Sequence, residues 1–138
     1  MLLTIESCAH RGDDAEEPVS LITSGRLCLD GERAVLQYDE TLDESLPPQH
    51  VTVTLEDGTV QVERDGDYAT QLVFHKGRRY QGQYETPFGR MELAVFCTKL
   101  RYELDEDGGE IHVSYQMDLN GQFAAMHDME ITLMKQDG

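Results

Sequence analysis

Residues 84–97, YETPFGRMELAVFC, decide the fold, because an alternating pattern of apolar residues stops there and restarts with the opposite parity. The apolar residues occupy even-numbered positions up to Thr86 and odd-numbered positions from Met91, and we call these positions the apolar phase. Pro87 cannot donate a hydrogen bond to a neighbouring strand, so the interior of a strand is a poor place for it. Pro87 and Gly89 occupy the second and fourth positions of Thr-Pro-Phe-Gly, as in a type I β-turn. The stretch therefore predicts a hairpin, with a four-residue connection beginning at Pro87 that places Thr86 opposite Met91.

The same alternation fills most of the remaining chain, with turn signals every 8–15 residues. Asp-Gly pairs favour type I′ hairpin turns, because both central residues of such turns need a positive φ. A turn at Asp30-Gly31 is predicted to place Leu27 opposite Ala34. A turn at Asp57-Gly58 is predicted to pair the strands on either side, and the expected partners are Leu55 with Val60, Val53 with Val62 and Val51 with Arg64.

Breaks in the alternation predict longer loops and bulges. They are expected as a three-residue loop at 65–67, a β-bulge near Thr98-Lys99 and a longer or bulged loop between Asn120 and Ala124. With these breaks, Tyr102 is expected opposite Val113, and Tyr115 opposite Met129. Each pairing keeps the apolar residues of both strands on one face.

The strands number about eight to ten, and hairpins join nearly all of them. Such a meander has to protect its edge strands, and closure into a barrel does so completely. The sequence thus predicts an all-β, up-and-down antiparallel β-barrel that forms a single domain over residues 1–138. A β-sandwich is the main alternative.

Composition and charge exclude several classes of protein. The net charge is −16, with 27 acidic and 11 basic residues, and a chain this acidic is repelled by nucleic-acid phosphates and anionic lipids. No apolar run approaches the length that spans a bilayer, and the first residues show no secretory signal. The three cysteines lack paired spacing, which favours a reducing compartment. We therefore expect a cytoplasmic protein with no nucleic-acid or membrane partner.

One window departs from the acidic average. Residues 76–101 contain six basic and two acidic residues, a local charge of +4. The simpler interpretation is a solvated face that balances acidic neighbours. The functional alternative is a surface for an anion or a protein partner, or for a second copy of the chain.

Tyrosines on the apolar phase indicate an interior that is not uniformly dry. A buried tyrosine hydroxyl usually needs a hydrogen-bond partner, and all six tyrosines fall on this phase. Arg64 shares it at a strand end, where it either extends to the rim or points inward to anchor a ligand carboxylate or phosphate. A hypothetical ligand site in the barrel interior therefore consists of Tyr38, Arg64, Tyr68, Tyr80, Tyr84, Tyr102 and Tyr115.

Signals for catalysis are weak. The five histidines lack a metal-ligand spacing, and no nucleophile elbow, phosphate-binding loop or dinucleotide fingerprint occurs. We predict no catalytic residue, no metal and no cofactor, and an enzyme is the least favoured class.

Several segments in their order and spacing resemble the YwiB-like family of small bacterial cytoplasmic proteins with a domain of unknown function. They are LITSGRLCLDGERAVLQYDE, VTVTLEDGTVQVERDG, the stretch from YETPFGRMELAVFC to MDLNGQ, and MEITLM. The resemblance covers roughly residues 2–135 and implies a calycin-like, lipocalin-type barrel with no established catalytic residues. Two functions remain open: binding of a small hydrophobic or amphipathic ligand inside the barrel, or a protein-interaction module, such as a homodimer, that uses residues 76–101.

Overall fold

The computed structural model describes residues 1–11, 14–15, 18–40, 45, 48–66 and 69–135. The regular secondary structure of these residues consists of β-strands joined by turns. The strands are β1 (Leu2–Arg11), β2 (Asp14–Ala15), β3 (Val19–Asp30), β4 (Arg33–Glu40), β5 (Gln49–Glu56), β6 (Thr59–Arg64), β7 (Thr70–His75), β8 (Arg79–Thr86), β9 (Gly89–Asp105), β10 (Gly108–Leu119) and β11 (Gln122–Met134).

The strands form one closed antiparallel barrel. Neighbours along the chain pair from β3 to β11, β1 pairs with β3, and β11 returns to pair with β1. The short β2 pairs only with the end of β1, so ten strands make the wall. The predicted all-β, up-and-down barrel of about eight to ten strands is confirmed. None of the described residues forms a helix long and apolar enough to cross a membrane.

The β5–β6 hairpin has the predicted register. Val53 pairs with Val62 and Val51 with Arg64. The two turn residues, Asp57 and Gly58, have φ of 51° and 72°, as a type I′ turn requires.

The register predicted for β3 and β4 is wrong by two residues. Leu27 pairs with Leu36 rather than Ala34, and the strands pair as far as Asp30 and Arg33. The central turn residues are therefore Gly31 and Glu32. Only Gly31 of the two has a positive φ, of 61°, which is the pattern of a type II′ turn. A shift of two residues keeps every side chain on its predicted face, because side chains alternate with a period of two.

The Thr-Pro-Phe-Gly turn is also tighter than predicted. Thr86 pairs with Gly89 and not with Met91, which pairs with Tyr84. The Thr86 hydroxyl accepts a hydrogen bond from the Phe88 N–H (3.2 Å) and donates one to the Gly89 carbonyl oxygen (2.9 Å). This side chain closes the turn over two residues, so the predicted four-residue connection is wrong while the hairpin itself is correct.

Both predicted irregularities in the last three strands exist, but the registers around them differ. Thr98 is the extra residue of a bulge between β9 and β10, and Tyr102 pairs with Ile111 rather than Val113. A second irregularity lies between β10 and β11, and Tyr115 pairs with His127 rather than Met129. The β6–β7 connection is two residues longer than predicted, since Arg64 pairs with Thr70.

The inner face of the wall forms the hydrophobic core. Alternate residues along the strands bury aliphatic side chains, as the alternating pattern predicts. Fully buried side chains include Leu3, Leu36, Leu55, Val60, Phe74, Ile111 and Ile131. Gly25 also belongs here, because a Cβ at this position would lie 2.6 Å from Leu3 Cδ1.

One part of the wall, between β7 and β8, is weakly paired. Within the described residues these strands pair at a single position, Thr70 with Tyr84. We call the stretch where they run side by side without pairing, residues 71–74 and 80–83, the seam.

Candidate functional site

An inner row of side chains crosses six strands next to the seam. Each member pairs directly with the next one: Tyr38 with Val51, Val51 with Arg64, Arg64 with Thr70, Thr70 with Tyr84 and Tyr84 with Met91. We call the row the inner belt, and its residues are Tyr38, Val51, Arg64, Thr70, Tyr84 and Met91. It places polar groups beside an otherwise apolar core.

Arg64 points inward and forms an ion pair with Glu40. The distance from Arg64 Nε to Glu40 Oε1 is 3.3 Å, and the two side chains are only 21% and 17% exposed. Burial disfavours the charged guanidinium, but Glu40 and the nearby phenols outweigh burial, so the pKa of Arg64 is raised above its usual value. Arg64 is thus a permanent cation on the inner face, where the sequence left both a rim position and an inward position open.

Two buried tyrosines face this cation. Tyr38 is 6% exposed and Tyr115 is 8% exposed. Burial raises the pKa of Tyr38 to about 12 and also raises the pKa of Tyr115, while Arg64 opposes both shifts. Both phenols therefore stay protonated near neutral pH. The Tyr115 ring packs between Phe74 and His127, with ring centroids 4.6 Å and 5.1 Å away.

Thr70 contributes a hydroxyl that is buried without a hydrogen-bond partner in the described part of the chain. It lies between Arg64 and Tyr84 in the inner belt. The hydrogen bond from Arg64 to Glu40 uses Nε. The terminal nitrogens of Arg64 make no hydrogen bond within the described residues. Leaving a buried polar group unsatisfied costs about 1–3 kcal/mol, so an ordered water or a ligand is expected to bond to these groups.

The structure brings together only some of the predicted ligand-binding tyrosines. Tyr80 lies on the inner face of β8, with its hydroxyl 3.2 Å from where a Cβ of Gly82 would stand. Tyr102 lies at the opposite end of the barrel, where its hydroxyl accepts a hydrogen bond from the Gly58 N–H at 3.1 Å. The predicted site residue Tyr68 lies outside the described residues.

A cleft of about 400 Å³ leads to the inner belt at the seam. Its lining includes Arg64, Thr70 and Tyr80 from the inner face, and Gln71 and Gln83 from the outer face. Successive side chains of a strand point to opposite sides of a wall, and most of the lining residues, such as His50, Thr52 and Gln71, belong to the outer face. The cleft therefore opens on the outer face beside the seam, while the Thr70 hydroxyl itself stays buried.

A different cluster occupies the outer face of the last strands. His112 Nε2 lies 3.4 Å from Glu110 Oε2 and 3.5 Å from Glu130 Oε1, and Arg101 lies 3.7 Å from the other oxygen of Glu110. The three acceptor groups are close enough to share a metal ion. Since all are partly exposed and Arg101 already pairs with Glu110, the cluster is accounted for as a surface ion-pair network.

The basic window also forms ion pairs with acidic residues. Arg79 lies 3.1 Å from Asp118 and Arg90 lies 3.0 Å from Glu85. These contacts, with the Arg101–Glu110 pair, match the interpretation of a solvated face that balances its acidic neighbours.

Sequence reasoning missed Glu40 and the role of Thr70. Glu40 follows Ala34, Leu36 and Tyr38 on the even, inward phase of β4. An acidic residue on the apolar phase of one strand, with Arg64 on the apolar phase of another, is a signal for an inner ion pair. Nothing in the sequence marks the unsatisfied hydroxyl of Thr70, because that depends on which side chains of β6 and β8 lie beside it.

Comparisons with known proteins agree with this architecture. The family model described as "Domain of unknown function (DUF1934)" matches residues 3–131. The uncharacterized beta-barrel protein YwiB of Bacillus subtilis (strain 168) is 28% identical over 120 residues, which cover 87% of this chain and 83% of that protein. The crystal structure of the ywiB protein from Bacillus subtilis superposes with a TM-score of 0.87 at 26% identity, over 99% of this chain and 91% of that chain.

Proposed function

Since the chain belongs to the family described as a domain of unknown function (DUF1934), we propose a function from its own site: it binds a small amphipathic molecule at the inner belt. The observation that carries the proposal is the buried Thr70 hydroxyl without a partner beside a guanidinium whose terminal nitrogens make no hydrogen bond in the described residues. A ligand that supplies hydrogen-bond acceptors to both would satisfy them.

The surroundings define the rest of the ligand. Tyr38, Tyr80, Tyr84 and Tyr115 offer aromatic surface around the polar groups, which suits a partly apolar or aromatic body. The cleft lies on the outer face beside the seam, where opening of the weakly paired strands would give a small molecule access. Calycin-like barrels often hold ligands inside, which adds an analogy from fold alone. We also propose a cytoplasmic location, supported by three cysteines that form no disulfide.

Ligand-detected NMR tests the proposal with a set of small aromatic and aliphatic acids and alcohols, including 2-naphthylacetate and 2-(2-naphthyl)ethanol. We expect binders, and we expect them to shift backbone amide signals of the inner belt in ¹H–¹⁵N spectra. Failure of every member of the set to perturb these signals, or shifts confined to the outer face, would contradict the proposal.

The Thr70→Val variant separates a binding role from a structural one. Valine keeps the shape of threonine but removes the unsatisfied hydroxyl, so the free protein should become more stable by about 1 kcal/mol. The same change should weaken ligand binding. The matched control is Tyr102→Phe at the other end of the barrel, which should leave binding unchanged. A Thr70→Val protein that binds as well as the wild type would argue against the site.

The interaction module remains the second candidate. Ion pairing of Arg79 with Asp118 and of Arg101 with Glu110, two acidic residues outside the window, lowers the net charge that residues 76–101 offer to a partner. No observation in the described residues favours it over the interior site.

A further inference from the structure

We infer that the inner belt selects ligands that carry a carboxylate, held by the terminal nitrogens of Arg64 and by the Thr70 hydroxyl. This inference rests on the proposed function and goes beyond it, because it names the head group. It concerns the same cleft and the same residues.

The hydrogen-bonding groups around Arg64 are mostly donors. The guanidinium uses Nε for Glu40, and its terminal N–H groups point in the fixed fork that matches a carboxylate. The phenols of Tyr38 and Tyr115 stay protonated, and the Thr70 hydroxyl can also donate. Glu40 is the acceptor that the structure places against this group. A head group with several acceptors and no donor, such as a carboxylate, fits this surplus better than an amine or an alcohol.

The charges near Arg64 permit this choice, although the whole protein is acidic. Glu40 balances Arg64, and three acidic residues line the outer part of the cleft, Glu63, Asp65 and Glu85. Glu85 is paired with Arg90 at 3.0 Å, so the fork geometry of Arg64, and not a net positive charge, has to select the carboxylate. A planar carboxylate can accept two parallel N–H bonds from one guanidinium, and such bidentate contacts are among the strong hydrogen bonds of proteins.

A matched pair of probes tests the inference by isothermal titration calorimetry near neutral pH. The probes are 2-naphthylacetate and 2-(2-naphthyl)ethanol, which share the ring and differ at the head group. We expect the wild-type protein to bind the acid about tenfold or more tightly than the alcohol, as one charge-assisted hydrogen bond would give. Equal affinities for the two probes would overturn the inference and leave the proposed function standing. Binding of neither these probes nor any other member of the screening set would count against the proposed function itself.

Two variants make the role of Arg64 specific. Arg64→Met should remove the preference for the acid while changing the affinity for the alcohol by less than about threefold. Glu40→Gln removes a competing negative charge and should raise the affinity for the acid by about threefold or more, an effect that a purely structural role of Arg64 would not give. Arg101→Met, at a residue that pairs with Glu110 on the outer face away from the cleft, is the control and should leave both affinities unchanged. If Arg64→Met fails to fold, Glu40→Gln decides: weaker binding of the acid in that variant would overturn the inference.

Discussion

The two sides of the barrel wall differ in how completely they are paired. Strand β10 pairs with both of its neighbours along its whole length, from Gly108 to Leu119. Strands β7 and β8 pair only at Thr70 and Tyr84 in the described part of the chain, directly beside the seam. The polar inner groups and the cleft lie next to the seam. The difference indicates that β10 belongs to the part of the wall that holds the fold together, while the wall is weakly paired beside the proposed ligand site.

Hydrogen exchange is the most direct test of whether β10 and the seam differ in protection. Backbone amides in the middle of β10 are hydrogen-bonded on a fully paired strand and should exchange only on global unfolding. Amides of residues 71–74 and 80–83 that are not bonded to β6 or β9 should exchange about 1000-fold faster or more, because local opening exposes them. Amide-resolved NMR measures both. Uniform protection around the barrel would show that the seam is closed in solution.

The apolar core next to the seam should still be essential for stability. Phe74 is fully buried and its ring packs on Tyr115, so Phe74→Ala should lower the free energy of unfolding by about 3–5 kcal/mol. Urea denaturation measures the change. Phe88, which is 91% exposed at the Thr-Pro-Phe-Gly turn, is the matched control, and Phe88→Ala should change stability by less than about 0.5 kcal/mol. Similar effects for the two variants would contradict the assigned core.

The close packing of β9, β10 and β11 predicts that Gly109→Ala lowers the free energy of unfolding somewhat less than Phe74→Ala does. Gly109 has φ of 145°, and a Cβ there would lie 1.9 Å from the Glu103 carbonyl oxygen. The backbone would have to move, at a cost of about 3 kcal/mol in urea denaturation. Gly31→Ala is the comparison, since Gly31 has φ of 61° with open space around it and should lose only about 1–2 kcal/mol. Equal losses would mean that conformation alone, and not crowding, sets the cost.

The smallest predicted effect concerns His50 and Asp39, an exposed pair on the outer face of the barrel. The hydrogen bond and the charge of Asp39 raise the pKa of His50. A raised pKa means that the folded protein binds the proton more tightly, so the contribution to stability is complete below pH 6.5 and disappears as the pH rises through the raised pKa. His50→Gln should therefore lower the urea midpoint slightly at pH 5.5 and leave it unchanged at pH 9. An effect of His50→Gln on the urea midpoint that grows with pH would contradict the prediction. Adding His50→Gln to Asp39→Asn should cause no further loss at either pH.

Most of the fold followed from the alternation of apolar residues, whereas the registers did not. Only the β5–β6 hairpin had the predicted register. The others were wrong by two residues, because a two-residue shift leaves every apolar side chain on the same face. The choice between such registers depends on the closing contacts of each turn, such as the two hydrogen bonds of the Thr86 hydroxyl.

The candidate site was predictable in part. Inward positions for Tyr38, Tyr84 and Tyr115 followed from phase alone, whereas phase left a rim position open for Arg64. Phase gives a face but no height along the barrel, so it could not separate Tyr102, whose hydroxyl accepts a hydrogen bond at the opposite end. For the same reason, the partnership of Arg64 with Glu40 could not be deduced before the order and register of the strands were known.

The sequence by itself determined that the chain is all-β and that its alternating apolar residues share one face, and it favoured closure into a barrel over a sandwich. These properties depend on a period of two and on local turn chemistry, and both can be read along the chain. Tertiary structure alone decided the exact pairings, the inner ion pair and the seam. Those features depend on contacts between residues distant in sequence and on how ten strands share one closed wall, a condition that no single hairpin contains.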